Sequence, residues 1–172
     1  MRVAVGTDHG GVLLKPVLIR VLKAAGHRVF DMGTNLPGPC DYPLIGAKVA
    51  RAVSAGKAER GLLLCKSGAG MAIVANKFPG IRAAVCQTAM LARHSREHND
   101  TNVLVMGASH LTAPRASAVL KAWLSASFAG GRHARRVRQI HSIERQIILR
   151  AGFKTPRGRA GLKPAPKGCH GS

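Results

Sequence analysis

The chain has 172 residues, a length typical of one domain, and 46% of them are hydrophobic, so the chain can bury a sizeable core. No apolar run approaches the roughly 18 residues of a membrane-spanning helix. The opening MRVAVGTDHGG turns polar too soon for a signal peptide, which predicts a cytoplasmic protein. The net charge of +20 favours anionic partners, either phosphorylated small molecules or nucleic acid.

Short apolar runs alternate with amphipathic stretches along the chain. We expect strands at Val3–Gly6, Arg28–Met32, Gly61–Cys65, Ile81–Cys86 and Val103–Met106. We expect helices at Val12–Ala25, Pro43–Ala55, Ala69–Phe78, Thr88–His98, Ala113–Ser127 and Arg132–Arg150. This alternation predicts an α/β fold with an open, mostly parallel five-stranded sheet and helices on both faces.

The composition changes near residue 150. Residues 150–172 are rich in Gly, Pro, Lys and Arg, and contain no acidic residue. Such a segment cannot bury enough surface to offset its ordering entropy, so we expect a domain over 1–149 and a disordered basic tail over 150–172. Weak, non-specific and salt-dependent nucleic-acid binding by this tail is a further expectation.

The cysteines are widely spaced. Cys40, Cys65, Cys86 and Cys169 form no Cys-x-x-Cys pair, so zinc-ribbon and thioredoxin-type sites are not expected. In a reducing compartment we expect free thiols, of which one can be chemically active.

Two groups of residues follow predicted strands, at the sheet edge where ligands bind in such folds. Asp8 and His9 follow the first strand, as either a helix cap and a surface ring or parts of a site. The small-residue loop Cys65–Gly70 joins the third strand to a helix. Its backbone can approach a ligand closely, and a cysteine at a helix N-terminus can have its thiolate stabilised. An ordinary tight turn is the alternative for this loop.

The other candidates lie on helices. His94 and His98 are one turn apart, but no third metal ligand has clear spacing, so a general acid/base role for one of them is favoured over a metal site. Arg132 and Arg136 share one helical face, which suits either a phosphate group or a solvated basic surface.

Six short motifs together carry a family resemblance. They are Gly6-Thr7-Asp8-His9, Asp41-Tyr42-Pro43, Cys65-Lys66-Ser67-Gly68-Ala69-Gly70, residues 75–83 (ANKFPGIRA), residues 98–104 (HNDTNVL) and Gly130-Gly131-Arg132-His133 with Arg136. In order and spacing the chain resembles the type B ribose-5-phosphate isomerases, a family that also includes the galactose-6-phosphate isomerase subunits. The resemblance covers residues 1 to 147.

The resemblance implies a Rossmann-like fold and a homodimer or dimer of dimers, whose active sites are shared between subunits. It implies reversible conversion of ribose 5-phosphate to ribulose 5-phosphate in the non-oxidative branch of the pentose phosphate pathway. The implied reaction passes through a cis-enediolate and uses no metal or organic cofactor.

The resemblance also implies roles for individual residues. Cys65 would move the proton between C1 and C2, Ser67 would relay a hydroxyl proton, and His98 would open the furanose ring. Substrate contacts would come from Asp8, His9 and Asn99 on hydroxyls, from the loop residues Lys66, Gly68, Ala69 and Gly70 on oxygens, and from Arg132 and Arg136 on phosphate.

Two departures from the family leave the substrate open. The family usually has Gly-Thr-Gly after the cysteine, where this chain has Lys66-Ser67-Gly68, and an arginine after the fifth strand, where it has Ser109 followed by His110. Allose 6-phosphate or galactose 6-phosphate is therefore an alternative substrate. A catalytically impaired paralogue and a nucleic-acid-binding protein on the same scaffold are alternatives of other classes.

Overall fold

Five parallel strands form one sheet in this computed structural model, which describes residues 1–36 and 38–151. The strands are β1 (Arg2–Thr7), β2 (Arg28–Asp31), β3 (Arg60–Cys65), β4 (Ala83–Val85) and β5 (Val103–Gly107). Their order across the sheet is β2-β1-β3-β5-β4, and every neighbouring pair is parallel. The predicted five-stranded sheet is confirmed, and it is entirely rather than mostly parallel.

The described residues form six α-helices. These are α1 (Lys15–Ala24), α2 (Tyr42–Ser54), α3 (Ala69–Ala75), α4 (Ala89–Asn99), α5 (Ala113–Ser125) and α6 (Gly131–Arg150). Short 3₁₀ helices at His9–Gly11 and Ala108–His110 follow β1 and β5. Within these residues, no helix combines the length and the apolar character needed to cross a bilayer.

The sheet is covered on both faces, so its central strands are continuous apolar runs. Leu62 and Leu64 of β3 point into the core that contains α1 and α5, whereas Leu63 points into the core that contains α2 and α3. All three leucines are fully buried. Because successive side chains of a strand alternate between faces, the apolar run of β3 supplies both cores.

Three elements are shorter than the sequence predicts by three residues or more. The first helix was expected from Val12 but begins at Lys15, because Pro16 fits only in a first turn. The third helix was expected to reach Phe78 but ends at Ala75, where the Asn76 side chain pairs with the backbone N–H and carbonyl of Ala83 at 2.8 and 3.0 Å. The fourth strand was expected over 81–86 and has three residues.

The last helix, α6, is amphipathic and largely exposed. Only Val137 is buried, while Ile140, Ile143 and Ile147 lie largely in solvent. The helix ends at Arg150, as its predicted bounds have it, so it includes the first residue of the segment predicted as the tail. Residues 152–172, which carry the rest of the predicted tail, lie outside the described residues.

Candidate active site

The carboxyl edge of the sheet brings the first two predicted groups together. Cys65 ends β3 and is 5% exposed. Asp8, after β1, donates its backbone N–H to the carbonyl of Leu64 (3.3 Å). A Cβ on Gly10 would lie 2.9 Å from the backbone nitrogen of Lys66, so the loop after β1 lies directly against the loop after β3. The predicted clustering at this edge therefore occurs.

The Cys65 thiol lies beside Gly68, the N-cap residue of the following helix. The backbone N–H of Gly68 donates to Cys65 Sγ at 3.1 Å. Gly68 has a φ of 89°, a left-handed conformation that favours glycine and that turns this N–H back toward the sulfur. The loop backbone thus supplies a hydrogen-bond donor to the Cys65 sulfur.

The loop is held in place from the β5 side. Gly107 approaches it so closely that a Cβ there would lie 2.5 Å from the Ser67 carbonyl oxygen. The backbone N–H of Ser109 donates to the Lys66 carbonyl at 3.1 Å. The side chains of Lys66 and Ser67 are exposed, as is Ala69, so the loop presents them to solvent.

Tyr42 also lies near this loop, although it was not predicted as a site residue. The ring of Tyr42 packs on the first turn of α3, where a Cβ on Gly70 would lie 2.5 Å from it. Tyr42 stands in the motif Asp41-Tyr42-Pro43, which was the available signal.

Asp8 and His9 differ in exposure after β1. Asp8 is 5% exposed, and its side chain accepts the Gly10 N–H (2.9 Å), so the predicted helix cap is confirmed. His9 is exposed.

The second group of predicted residues lies where α4 meets α6. The ring of His98 stacks on that of His133 at 4.3 Å between centroids, and on that of His94 at 5.1 Å. Desolvation and the facing His98 ring lower the pKa of His133. Asn99, Arg132 and Arg136 flank this stack and are exposed. His133 was missed as a site residue, although it stands between two arginines that the sequence singled out.

The two groups lie at opposite ends of the parallel strands, with the Cys65 loop at the carboxyl ends and the His98 stack toward the amino ends. The helix α4 starts after the carboxyl end of β4 and runs back, so the chain after His98 returns to the amino ends of the strands. There the Asn102 carbonyl accepts a hydrogen bond from the Gly61 N–H (2.9 Å). From Gly61 to Cys65 the strand rises about 13 Å. A single copy of the chain therefore does not bring Cys65 and His98 to one substrate.

Neither of two surface cavities among the described residues reaches from the Cys65 loop to the His98 stack. A cavity of about 670 Å³ lies between α1 and α5 and is lined by none of the predicted site residues. Another, of about 320 Å³, is lined by Arg93 and His94 beside the imidazole stack. Among the described residues no group of three or more His, Cys, Asp or Glu side chains is placed to hold a metal ion. His94 and His98 lie in the ring stack.

Comparison with known proteins identifies the class. The sequence profile of the ribose/galactose isomerases matches residues 3–140. Ribose-5-phosphate isomerase B of Escherichia coli is 43% identical over 145 residues, which are 84% of this chain and 97% of that protein. D-erythrulose-4-phosphate isomerase of Pectobacterium atrosepticum is 37% identical over 147 residues, covering 85% and 97%.

Comparison of the fold with solved structures leads to the same class of protein. The structure of ribose-5-phosphate isomerase B from Clostridium thermocellum superposes with a TM-score of 0.83 at 46% identity, covering 86% of this chain and 99% of that one. The chain thus shares the fold of this isomerase, with the Cys65 loop at the carboxyl edge of a parallel sheet that is covered on both faces. The chain belongs to the ribose/galactose isomerase family.

Proposed function

We propose that the protein interconverts ribose 5-phosphate and ribulose 5-phosphate. Family membership and the names of its relatives support this reaction. The observation that carries the proposal is the hydrogen bond from Gly68 N–H to Cys65 Sγ at the carboxyl edge. It places a backbone donor on a buried sulfur at the edge of the sheet where ligands bind in such folds.

The proposed chemistry moves one proton between adjacent carbons. With ribose 5-phosphate in its open form, the Cys65 thiolate removes the hydrogen of C2, and the electron pair passes to the C1 carbonyl oxygen to give a cis-enediolate. The same thiol then protonates C1, while Ser67 relays the hydroxyl proton between O2 and O1. Loop amides over Lys66–Gly70 stabilise the developing oxyanion, and one such donor is typically worth about 3 kcal/mol. The reaction therefore needs no metal or organic cofactor.

The remaining residues bind and prepare the sugar. His98 transfers the proton that opens the furanose ring, since imidazole exchanges protons near neutral pH. Hydroxyls are held by Asp8, His9 and Asn99. Arg132 and Arg136 bind the phosphate, whose remote binding energy orients the reacting carbons.

This assignment requires two copies of the chain. The Cys65 loop of one copy and the His98 stack of another form one site in the proposed homodimer, or in a dimer of dimers. Supporting this, α4 exposes Met90 and Leu91, and α6 exposes Ile140, Ile143 and Ile147. Apolar side chains of this number on two adjoining helices are typical of a surface covered by a partner. We place the enzyme in the cytoplasm, in the non-oxidative pentose phosphate pathway.

The test is an isomerase assay with two cysteine variants. Wild type and the control Cys86→Ala should convert ribose 5-phosphate to ribulose 5-phosphate, whereas Cys65→Ala should lose about a thousandfold or more in kcat. Cys86 is a good control because it is also buried and follows the carboxyl end of another strand, β4. Full activity in Cys65→Ala would contradict the assigned base.

The same assay determines the substrate. Allose 6-phosphate, galactose 6-phosphate and erythrulose 4-phosphate should each be offered to wild type, because one relative carries the name of a four-carbon isomerase. We expect the highest kcat/KM with ribose 5-phosphate. A wild type inactive on all four compounds would overturn the proposed function. Nucleic-acid binding by the tail stays a prediction, to be tested by gel shifts at increasing salt.

A further inference from the structure

The motif over residues 75–83 contains an arginine that the proposed chemistry does not use. The Arg82 side chain is 14% exposed and forms an ion pair with Asp100, with Nη2 2.7 Å from Oδ2. Its Nε donates to the backbone carbonyls of Asn99 (3.1 Å) and Asp100 (2.8 Å). One guanidinium therefore binds the last residues of α4, immediately after His98.

The end of α4 depends on these contacts for its shape. Asp100 has a φ of 48°, the one left-handed residue other than glycine in the described chain. Such a conformation is costly for a residue with a Cβ unless its surroundings hold it. Arg82 holds one carboxylate oxygen of Asp100, and Arg96 holds the other at 2.7 Å. The turn that ends α4 is thus fixed by two guanidinium groups.

Arg82 also reaches the second helix of this half-site. Its Nη1 lies 3.2 Å from Nε2 of His141 in α6. Since arginine has no acceptor atom, Arg82 donates and His141 accepts, which leaves the imidazole proton on Nδ1, on the side of Glu144. Glu144 in turn accepts the backbone N–H of Gly80 at 2.8 Å. The loop 80–82 is therefore bound to α6 at two points.

Arg82 is thus bound to both helices that carry one half of the proposed site. His98 and Asn99 end α4, whereas Arg132 and Arg136 begin α6, and the rings of His98 and His133 stack between them. A sugar phosphate that spans these groups requires a fixed spacing between them, because displacements near 1 Å can cost about a hundredfold in rate.

We propose that Arg82 is a positioning residue, whose guanidinium fixes the α4 end carrying His98 and Asn99 relative to the phosphate-binding arginines of α6. This proposal rests on the proposed function. Arg82 touches no reacting atom and acts through the backbone of α4 and through His141.

The test compares Arg82→Gln and Arg82→Lys with a matched control, Arg60→Gln. Arg60 is also a half-buried guanidinium, and it lies 6.0 Å from the Trp123 ring. The measurements are kcat and KM for ribose 5-phosphate, the inhibition constant of inorganic phosphate, and the melting temperature. All kinetics are run well below the melting temperature, so that a loss of stability alone leaves kcat and KM unchanged.

Arg82→Gln should lose about tenfold or more in kcat/KM and bind inorganic phosphate about fivefold more weakly. Arg82→Lys, which keeps the charge without the fork of donors, should recover part of both losses. Arg60→Gln should stay within about twofold of wild type in both, whatever its melting temperature. A folded Arg82→Gln with wild-type kcat, KM and phosphate affinity would overturn the proposal.

A second variant covers the case in which Arg82→Gln does not fold. His141→Leu removes the acceptor that α6 offers to Arg82, so KM and the phosphate inhibition constant should rise severalfold while kcat changes by less than about twofold. Unchanged values for both constants would overturn the proposal. If wild type converts none of the sugar phosphates, the proposed function fails. Phosphate affinities of wild type and Arg82→Gln, measured calorimetrically, then still decide whether Arg82 positions this site.

Discussion

At the residue scale, two buried cysteines differ in what surrounds their sulfur. Cys65 Sγ accepts a backbone N–H from Gly68 at 3.1 Å. Cys86 Sγ instead faces the carbonyl of Ala84 at 3.8 Å, and burial raises the pKa of this thiol despite the hydrogen bond of Ser95. The Cys65 sulfur thus has a backbone donor beside it, whereas burial favours the neutral thiol at Cys86. This difference supports Cys65 as the base, the role that the family resemblance implies for it.

A pH effect on stability follows from His141. Desolvation and the facing Arg82 lower its pKa from the ordinary 6.5, while Glu144 and Asp100 oppose the shift and Arg145 adds to it. Between the lowered pKa and 6.5 the unfolded chain binds the proton and the folded chain does not. The free energy of unfolding should therefore fall as the pH drops below 6.5.

The measurement is a series of urea denaturation midpoints between about pH 5 and pH 8 for wild type and His141→Gln. The variant should lose part of the slope below neutrality. The part due to His133 should remain, because the pKa of His133 is also lowered. Identical slopes for wild type and His141→Gln would contradict the lowered pKa of His141.

At the scale of elements, the strands were predictable because buried parallel strands are continuous apolar runs, as in residues 61–65. The loop Cys65–Gly70 was predictable because the carboxyl edge is where such folds bind ligands. The contacts of Arg82 were not, since they join residues 18 and 59 positions apart. The short β4 was not predictable either. There the side chain of Asn76 forms hydrogen bonds with the backbone N–H and carbonyl of Ala83, where a longer strand was expected.

The close approach of β5 to the Cys65 loop gives a test at this scale. Gly107→Ala would place a Cβ 2.5 Å from the Ser67 carbonyl oxygen and 2.6 Å from Gln87 Nε2, so the loop must move. We expect kcat/KM to fall about tenfold or more and the free energy of unfolding to drop by about 1–3 kcal/mol. Gly38→Ala, whose Cβ would meet no atom of the described residues within 4 Å, is the control. Kinetics and denaturation of both variants check the result, and equal activity would contradict the close packing.

At the scale of the whole molecule, the arrangement of the site follows from the direction of the strands. Every helix that follows a parallel strand runs back toward the amino ends of the strands. A residue at the start of such a connection and one at its end therefore lie at opposite ends of the strands. Cys65 is of the first kind and His98 of the second. The exposed apolar side chains of α4 and α6 offer the contact through which a second copy can complete each site.

Subunit complementation tests the shared site most directly. Cys65→Ala and His98→Ala should each be inactive alone, because each removes one half of every site. Unfolded together and refolded, they should regain about a quarter of wild-type activity, since half of the random dimers then hold one intact site. Cys65→Ala refolded with Cys65→Ser is the control and should stay inactive. A mixture of the first pair that remains as inactive as its parents, although subunits have exchanged, would contradict a site built from two chains.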